Sequence, residues 1–333
     1  MKDDNSENVL EPKTVYLHVT KACNMHCTYC YFEAGTPIEN ELTLDELRVL
    51  FRELVSIKPQ TLVFTGGEPL LRKDLFDMAQ AFRKANPDKT IRLRLISNGT
   101  LINRENARRI AFAFDEVRIS VDGPRAINDK IRGAGTFESA MNAIRNLRDS
   151  GIYPSVSITI TSLNISHLQS FLSFLFRKKF ITEFHLSPFR PVGRGASVRN
   201  LEYPWRKAQL VVANFWQKQF EAPRKLKEPK AYNLMSCRNC GVGSYINIHP
   251  DGAIYPCHVL SVPEFLLGNV RTQSLSKMCR NSTLLKTLRS LDFNQIAGVS
   301  GRLASLLENA ICLGEVYRDA KDELMSLLKQ QSK

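Results

Sequence analysis

No stretch of this chain approaches the ~18 consecutive apolar residues that mark a membrane-spanning helix. The densest apolar patch, Phe171 to Phe176, is short and runs straight into Arg177, Lys178 and Lys179. The amino-terminal segment MKDDNSENVLEPK is polar and mixed in charge, and it lacks the apolar core of a secretory signal. Both absences argue against a membrane partner and point to a cytoplasmic protein. No basic run interleaved with aromatics is present either. The 46 Lys and Arg are dispersed, which argues against nucleic acid. Their excess over 33 acidic residues, net +13, then reads as a solvated basic surface or as a surface for an acidic substrate or partner protein.

What is present is a core-forming composition. At 333 residues and 43% apolar, the chain accommodates one large or two medium domains. From residue 13 to about 190, strand and helix patterns alternate with a period near 35 residues. Thr14 to Thr20 alternates with period 2, putting Val15, Leu17 and Val19 on one face and Tyr16 and His18 on the other. Thr43 to Glu46 reads as a capping box before a stripe of Leu44, Leu47, Leu50, Phe51, Leu54 and Val55. Strands are expected at 61–65, 91–97, 116–122, 155–161 and 183–188, with helices at 104–111, 137–147 and 165–176 and another around Leu75 to Phe82. The fold class expected is α/β: a partial (β/α)6 TIM-like barrel followed by a small α+β cysteine-containing domain. The boundaries read as a tail over 1–12, the barrel core over 13–221, a Pro- and Lys-rich linker over 222–236 and the small domain over 237–333. Within the small domain, Asp251-Gly252 predicts a hairpin, with helices over 275–290, 302–309 and 315–329.

Eight cysteines in a chain without a secretory signal point to metal ligands more than to disulfides. Cys23, Cys27 and Cys30 form C-x3-C-x2-C directly after the first strand. Three thiolates in one loop can hold three irons of a [4Fe–4S] cluster and leave the fourth open, as suits a reaction site; a passive carrier uses four. A three-cysteine zinc site with a water, or plain buried thiols, fit the spacing less well.

In these residues the sequence resembles the radical SAM superfamily, over nearly its whole length. The resemblance implies that Cys23, Cys27 and Cys30 hold the cluster and that S-adenosylmethionine (SAM) binds its open iron. One electron then cleaves SAM to a 5′-deoxyadenosyl radical, which takes a hydrogen atom from the substrate. Tyr29 stands where the family has an aromatic near the adenine. Gly66-Gly67-Glu68-Pro69 resembles the segment that binds the SAM amino group. Two glycines permit close backbone approach, and Glu68 could neutralise the ammonium. Asn98, in Ser97-Asn98-Gly99-Thr100, falls near the SAM ribose, although a plain Asn-Gly turn has the same pattern. Ser120 and Arg132 fall where relatives contact the SAM carboxylate, which suits the bidentate guanidinium; a strand serine and a surface arginine are the alternatives.

The distal cysteines resemble SPASM and twitch extensions, which hold auxiliary clusters. Cys240 to Cys257 reads C-x11-G-x4-C, and Cys237, Cys240, Cys257 and Cys312 would close one site. No second cysteine group lies between the last two, so one auxiliary [4Fe–4S] cluster is expected, with a four-thiolate zinc ribbon as the alternative; Cys279 is left over as structural. His258, directly after Cys257, is a candidate catalytic base or a neighbour of the cluster. Sulfatase-maturing members carry an Asp at that point, and its absence argues against that activity. His18 reads as lining the substrate cavity or as core, His26 and His249 as loop residues. Gly193-Arg194-Gly195 reads as closing over SAM or an acidic group, or as a plain loop.

The function expected is modification of a ribosomally made peptide. The resemblance and the basic surface favour it; the lack of an appended recognition domain calls for a separate peptide-recognition protein or direct leader binding. The alternatives are a radical dehydrogenase acting on a small molecule in cofactor, tetrapyrrole or antibiotic biosynthesis, and a non-catalytic iron–sulfur protein. An acidic flavodoxin or ferredoxin is the expected electron donor.

Overall fold

The computed structural model describes residues 12–177, 180–181, 183–221, 242, 244–290, 303 and 312–331. Its strands are β1 (Thr14–Thr20), β2 (Thr61–Gly66), β3 (Arg92–Ser97), β4 (Glu116–Ser120), β5 (Ser155–Ile160), β6 (Phe184–Pro188), β7 (Tyr245–Ile248), β8 (Ala253–Tyr255) and β9 (Gly268–Asn269). They form one nine-stranded sheet in the order β6-β5-β4-β3-β2-β1-β7-β8-β9. Every pairing from β6 through β1 to β7 is parallel, and β7-β8 and β8-β9 are antiparallel. Parallel neighbours require crossovers, which α1 (Leu44–Ile57), α2 (Leu75–Ala85), α3 (Arg104–Ala113), α5 (Thr136–Asp149) and α6 (Leu168–Arg177) supply. This is the partial-barrel α/β fold expected.

Sequence periodicity explains which face the helices cover. Leu93 and Leu95 of β3, Val117 and Ile119 of β4 and Val156 and Ile158 of β5 are fully buried against the helices, in one core with Leu47, Phe51 and Phe82. The alternate residues, Arg94, Arg118, Ser157 and His185 among them, are only half-buried and line the concave face. The Thr43/Glu46 capping box forms as read and starts α1.

The differences from expectation have local causes. Helix α4 (Arg125–Arg132) went unread because it buries only Asn128 and Ile131, too little for a stripe. The single helix expected over 275–290 is two, α8 (Leu275–Asn281) and α9 (Thr283–Ser290). Ser282 leaves the helical region at ψ 109, and its hydroxyl accepts from the Leu285 N–H, starting the next turn. The one expected over 315–329 breaks at Ala320, between α10 (Leu313–Asp319) and α11 (Lys321–Gln331). The hairpin β7-β8 forms as expected, but β7 also pairs with β1, so the small domain extends the core sheet. The linker over 222–236, Cys237 and Cys240, residues 1–11 of the tail and, apart from Leu303, the helix at 302–309 lie outside the described residues. Among the described residues no helix is long and apolar enough to cross a membrane.

Candidate functional site

The loop after β1 carries Cys23, Cys27 and Cys30, all half-buried, and no disulfide joins the described cysteines. Its shape is set by backbone bonds. Cys23 N–H donates to Gly35 O at 2.8 Å, Thr28 N–H to Ile131 O at 3.1 Å, and Cys30 N–H to Cys27 O at 3.3 Å. Burial pushes the Cys23 thiol up to about 11, and the Cys27 and Cys30 thiols beside it push the same way. Three soft donors brought within electrostatic reach of one another on one short loop fit a cubane. Among the described residues no three His, Cys, Asp or Glu side chains close tightly enough for a single metal ion.

The glycines at the end of β2 serve a contact that the sequence does not display. A Cβ on Gly67 would sit 2.0 Å from Ala22 O, and one on Gly66, at φ +127°, 2.4 Å from Thr20 O. Gly67 N–H and Glu68 N–H donate to Thr20 O and Ala22 O, both at 2.8 Å. The close approach is therefore made to the backbone that leads into the cysteine loop. Glu68 is fully buried, and its carboxylate accepts from Ser97 Oγ at 2.9 Å, Asn98 N–H at 2.8 Å and Leu70 N–H at 3.2 Å. It ties the ends of β2 and β3 together instead of pointing outward. Burial raises its pKa to about 7 against these bonds. Asn98 donates to Asn24 Oδ1 at 3.0 Å, joining the β3 loop to the cysteine loop.

Beyond β4 stands a residue the sequence reading did not single out. Asp122 is fully buried in its side chain and forms an ion pair with Arg132 Nε at 2.6 Å. It also accepts from the Tyr29 hydroxyl and, at 2.8 Å, from Thr159 N–H. The Arg132 guanidinium lies 5.5 Å from the Tyr29 ring centre. Asp122 thus gathers Tyr29, Arg132 and the end of β5. Ser120, half-buried at the end of β4, faces Ser157 across the strands. The only signal for Asp122 was an acid at the C-terminal end of a strand, where parallel sheets place ligands. Arg194, read as closing over a ligand, instead donates to Cys27 O at 3.2 Å and Ala34 O at 2.8 Å.

The second cysteine group is partly visible. Cys257, in the loop after β8, is 2% exposed, and Cys312 stands immediately before α10. Burial pushes the Cys257 thiol up to about 11, with the nearby Cys312 thiol the next cause. Two thiols from positions far apart in sequence are therefore brought together; the structure does not describe the other two expected partners.

Between the two groups lies a cluster of rings. The His258 ring centre is 4.5 Å from Tyr16, 5.3 Å from Tyr31 and 5.7 Å from His18. His258 Nδ1 and the Tyr31 hydroxyl stand 3.4 Å apart. Burial, then His249, lowers His258 to about 3, so its imidazole is neutral near pH 7 and a weak base. His18 is 0% exposed with Asn247 beside it, and neither makes a well-aligned side-chain hydrogen bond. His249, in the hairpin loop as read, joins this cluster 5.2 Å from His18; His26 stays exposed.

A profile of the radical SAM superfamily matches residues 17–175, and one of an iron–sulfur cluster-binding domain, SPASM, matches 237–298. Residues 17–175 are thus a radical SAM domain and residues 237–298 a SPASM domain. A [4Fe–4S] cluster and SAM are the cofactors of this enzyme family, and the SPASM domain implies an auxiliary iron–sulfur cluster. The chain is 32% identical over 219 residues to Fe-coproporphyrin III synthase of Methanosarcina barkeri, covering 64% of its own length and 52% of that protein's. It is 29% identical over 298 residues to mycofactocin maturase MftC of Mycobacterium ulcerans, covering 85% and 78%. It therefore spans about half the length of the first of these relatives. Among solved structures, native anSMEcpe with bound AdoMet aligns at TM-score 0.69 and 18% identity, over 96% of this chain and 100% of that one, which shows the fold.

Proposed function

We propose that this protein reductively cleaves SAM and uses the resulting 5′-deoxyadenosyl radical to abstract a hydrogen atom from a ribosomally made peptide. The observation that carries the radical chemistry is the convergence of the three-thiol loop, the Gly66–Glu68 turn and the Asp122–Arg132–Tyr29 group at adjacent strand ends. When bound, the cluster and SAM supply the radical. The chain supplies position and charge. Cys23, Cys27 and Cys30 hold the cluster, and the backbone at Gly66 and Gly67 meets the amino end of SAM. Arg132, with Ser120 nearby, meets the carboxylate, held at a fixed angle by Asp122. Tyr29 and Asn98 border the nucleoside. Cys237, Cys240, Cys257 and Cys312 hold the auxiliary cluster, and the half-buried concave face of the sheet receives the substrate. Within that face His258, kept neutral by burial, accepts a hydrogen bond from substrate more readily than it removes a proton. The core spans 13–221 and the auxiliary domain 237–333. The setting is cytoplasmic, with an acidic flavodoxin or ferredoxin as donor and a separate recognition protein for the peptide leader.

Support for a peptide comes from MftC, which is named a maturase and is similar over 85% of this chain. A second reading, tetrapyrrole modification, is favoured by the relatives named Fe-coproporphyrin III synthase and AdoMet-dependent heme synthase.

The test is anaerobic reconstitution, iron counting and reduction with SAM. About eight irons and 5′-deoxyadenosine are expected, with a mass change on a peptide encoded next to this gene. A mass change on an iron-porphyrin and none on the peptide would favour the second reading. No 5′-deoxyadenosine would leave a non-catalytic iron–sulfur protein. Asp122→Asn should weaken SAM binding at least about tenfold, because Arg132 and Tyr29 lose the carboxylate that fixes their orientation.

A further inference from the structure

The segment from Phe189 to Tyr203, between β6 and α7 (Trp205–Glu221), has no role in the chemistry above, yet it touches both cysteine groups. At one end it is clamped on the radical-cluster loop. Gly193 (φ +57°) lies so close that a Cβ there would meet Tyr31 O at 2.4 Å and Cys30 O at 2.8 Å. Arg194 donates three times to that loop: its N–H to Cys30 O at 3.1 Å, Nε to Cys27 O and Nη1 to Ala34 O. One planar fork thus fixes carbonyls on both sides of Cys30. Four residues earlier, Arg190 forms an ion pair with Glu315, their side chains 10% and 20% exposed. Glu315 belongs to α10, which begins directly after Cys312, and its N–H donates to Cys312 O at 2.9 Å. A second link, Glu202 with Arg318 at 3.3 Å, holds the far end of the same helix. The segment is itself pinned to the end of β5 by Phe189 N–H to Ile160 O at 3.0 Å and Ser162 N–H to Leu201 O at 2.8 Å.

We propose that Arg190 and Arg194 are positioning residues that couple the two cluster sites: the segment between them sets the helix carrying Cys312 against the loop carrying Cys27 and Cys30. A cluster in either site then stabilises the cluster in the other, and the effect is reciprocal because it is one free energy. The inference rests on the two-cluster reading above. An arginine braced only for local stability would weaken each site separately; a coupling arginine makes the fate of one cluster depend on the other.

The experiment is a double-mutant cycle on the anaerobic holoenzyme. The rate of iron loss from the radical cluster to a ferrous chelator is followed through its SAM-perturbed EPR signal in wild type, Cys312→Ala, Arg190→Gln and the double variant. Cys312→Ala should speed the loss about fivefold or more in the wild-type background and less than about twofold in Arg190→Gln. Arg190→Lys, which keeps the charge, should restore most of the dependence. Glu315→Gln breaks the same pair with every cysteine in place and should behave as Arg190→Gln, so a folding defect in one variant does not decide the matter. Equal acceleration by Cys312→Ala in both backgrounds, with about eight irons in the wild type, would overturn the coupling alone. About four irons in the wild type would overturn the two-cluster reading and the coupling with it.

Discussion

The two cysteine groups solve the same problem, gathering thiolates, in opposite ways. Cys23, Cys27 and Cys30 lie within one loop, whose ends are fixed by β1 and by backbone bonds to Gly35, Ile131 and Arg194. Cys257 and Cys312 come from a loop and a helix start far apart in the chain, and among the described residues the packing of Leu260, Phe265, Leu313 and Val316 joins the two elements. Closing a long loop costs more entropy than closing a short one, so the second site depends more on its metal and on the contacts around it. The first site is a local feature of the barrel; the second is a product of the whole fold.

The largest expected effect breaks the comparison at its root. Cys27→Ala should abolish 5′-deoxyadenosine formation to the detection limit, because the open-iron cluster loses one of three ligands. Cys312→Ala should leave SAM cleavage measurable while product formation on substrate disappears. The two are separated by quantifying 5′-deoxyadenosine and modified substrate in the same reaction. Loss of SAM cleavage in both variants to the same degree would mean that the sites are not functionally distinct.

A smaller effect distinguishes the regions by the sign of their pH dependence. Glu68, at the first site, has its folded pKa raised to about 7 by burial. Its contribution is fully present below the unfolded value near 4.5 and is lost as pH rises through about 7. His249 and His185, on the auxiliary and concave sides, are lowered to about 4 and about 3, burial being the main cause in each. Their contribution is present above about 6.5 and is lost as pH falls toward those values. Anaerobic thermal melts from pH 5 to 8 should therefore show stability declining toward both ends. Glu68→Gln should flatten the alkaline limb by about 2 kcal/mol, and His249→Gln the acid limb by about 1 kcal/mol. If Glu68→Gln left the alkaline limb unchanged, the carboxylate would not carry its proton as the burial implies.

The first site was legible because its signals are consecutive: CNMHCTYC, GGEP and SNGT each sit in one short segment at a strand end. What was not legible depends on partners far apart. Asp122 looks like an ordinary acid after EVRIS until Tyr29, 93 residues away, and Arg132 are seen to converge on it. Arg194 could be placed near the site from its position after β6, but its targets are backbone carbonyls, which leave no mark in sequence. The pairing of β7 with β1 was hidden for a related reason, since a four-residue strand carries too little pattern to name its neighbour. Cys312 was reached only through family resemblance, because a single cysteine opening a helix has no spacing to read.

The smallest effect sharpens the contrast between buried and exposed ties across the same junction. Arg271, just after β9, pairs with Glu46 of the α1 capping box at 2.5 Å and donates to Asn40 O and Asp251 O, both at 3.0 Å. It fastens the auxiliary region to the outside of the core, as Arg190–Glu315 fastens it near the clusters. The outer pair is 30% and 34% exposed, against 10% and 20% for the inner one. Solvent screening at that exposure limits an ion pair to about 0–1 kcal/mol, whereas breaking a buried pair strands a charge at several times that cost. Arg271→Ala should therefore lower thermal stability by about 1 kcal/mol, with much of the loss disappearing at 1 M salt. Iron content and 5′-deoxyadenosine formation should stay unchanged, because none of its partners touches either cysteine group. A salt-insensitive loss, or a drop in auxiliary iron, would mean that the outer tie shares the function assigned to the inner one.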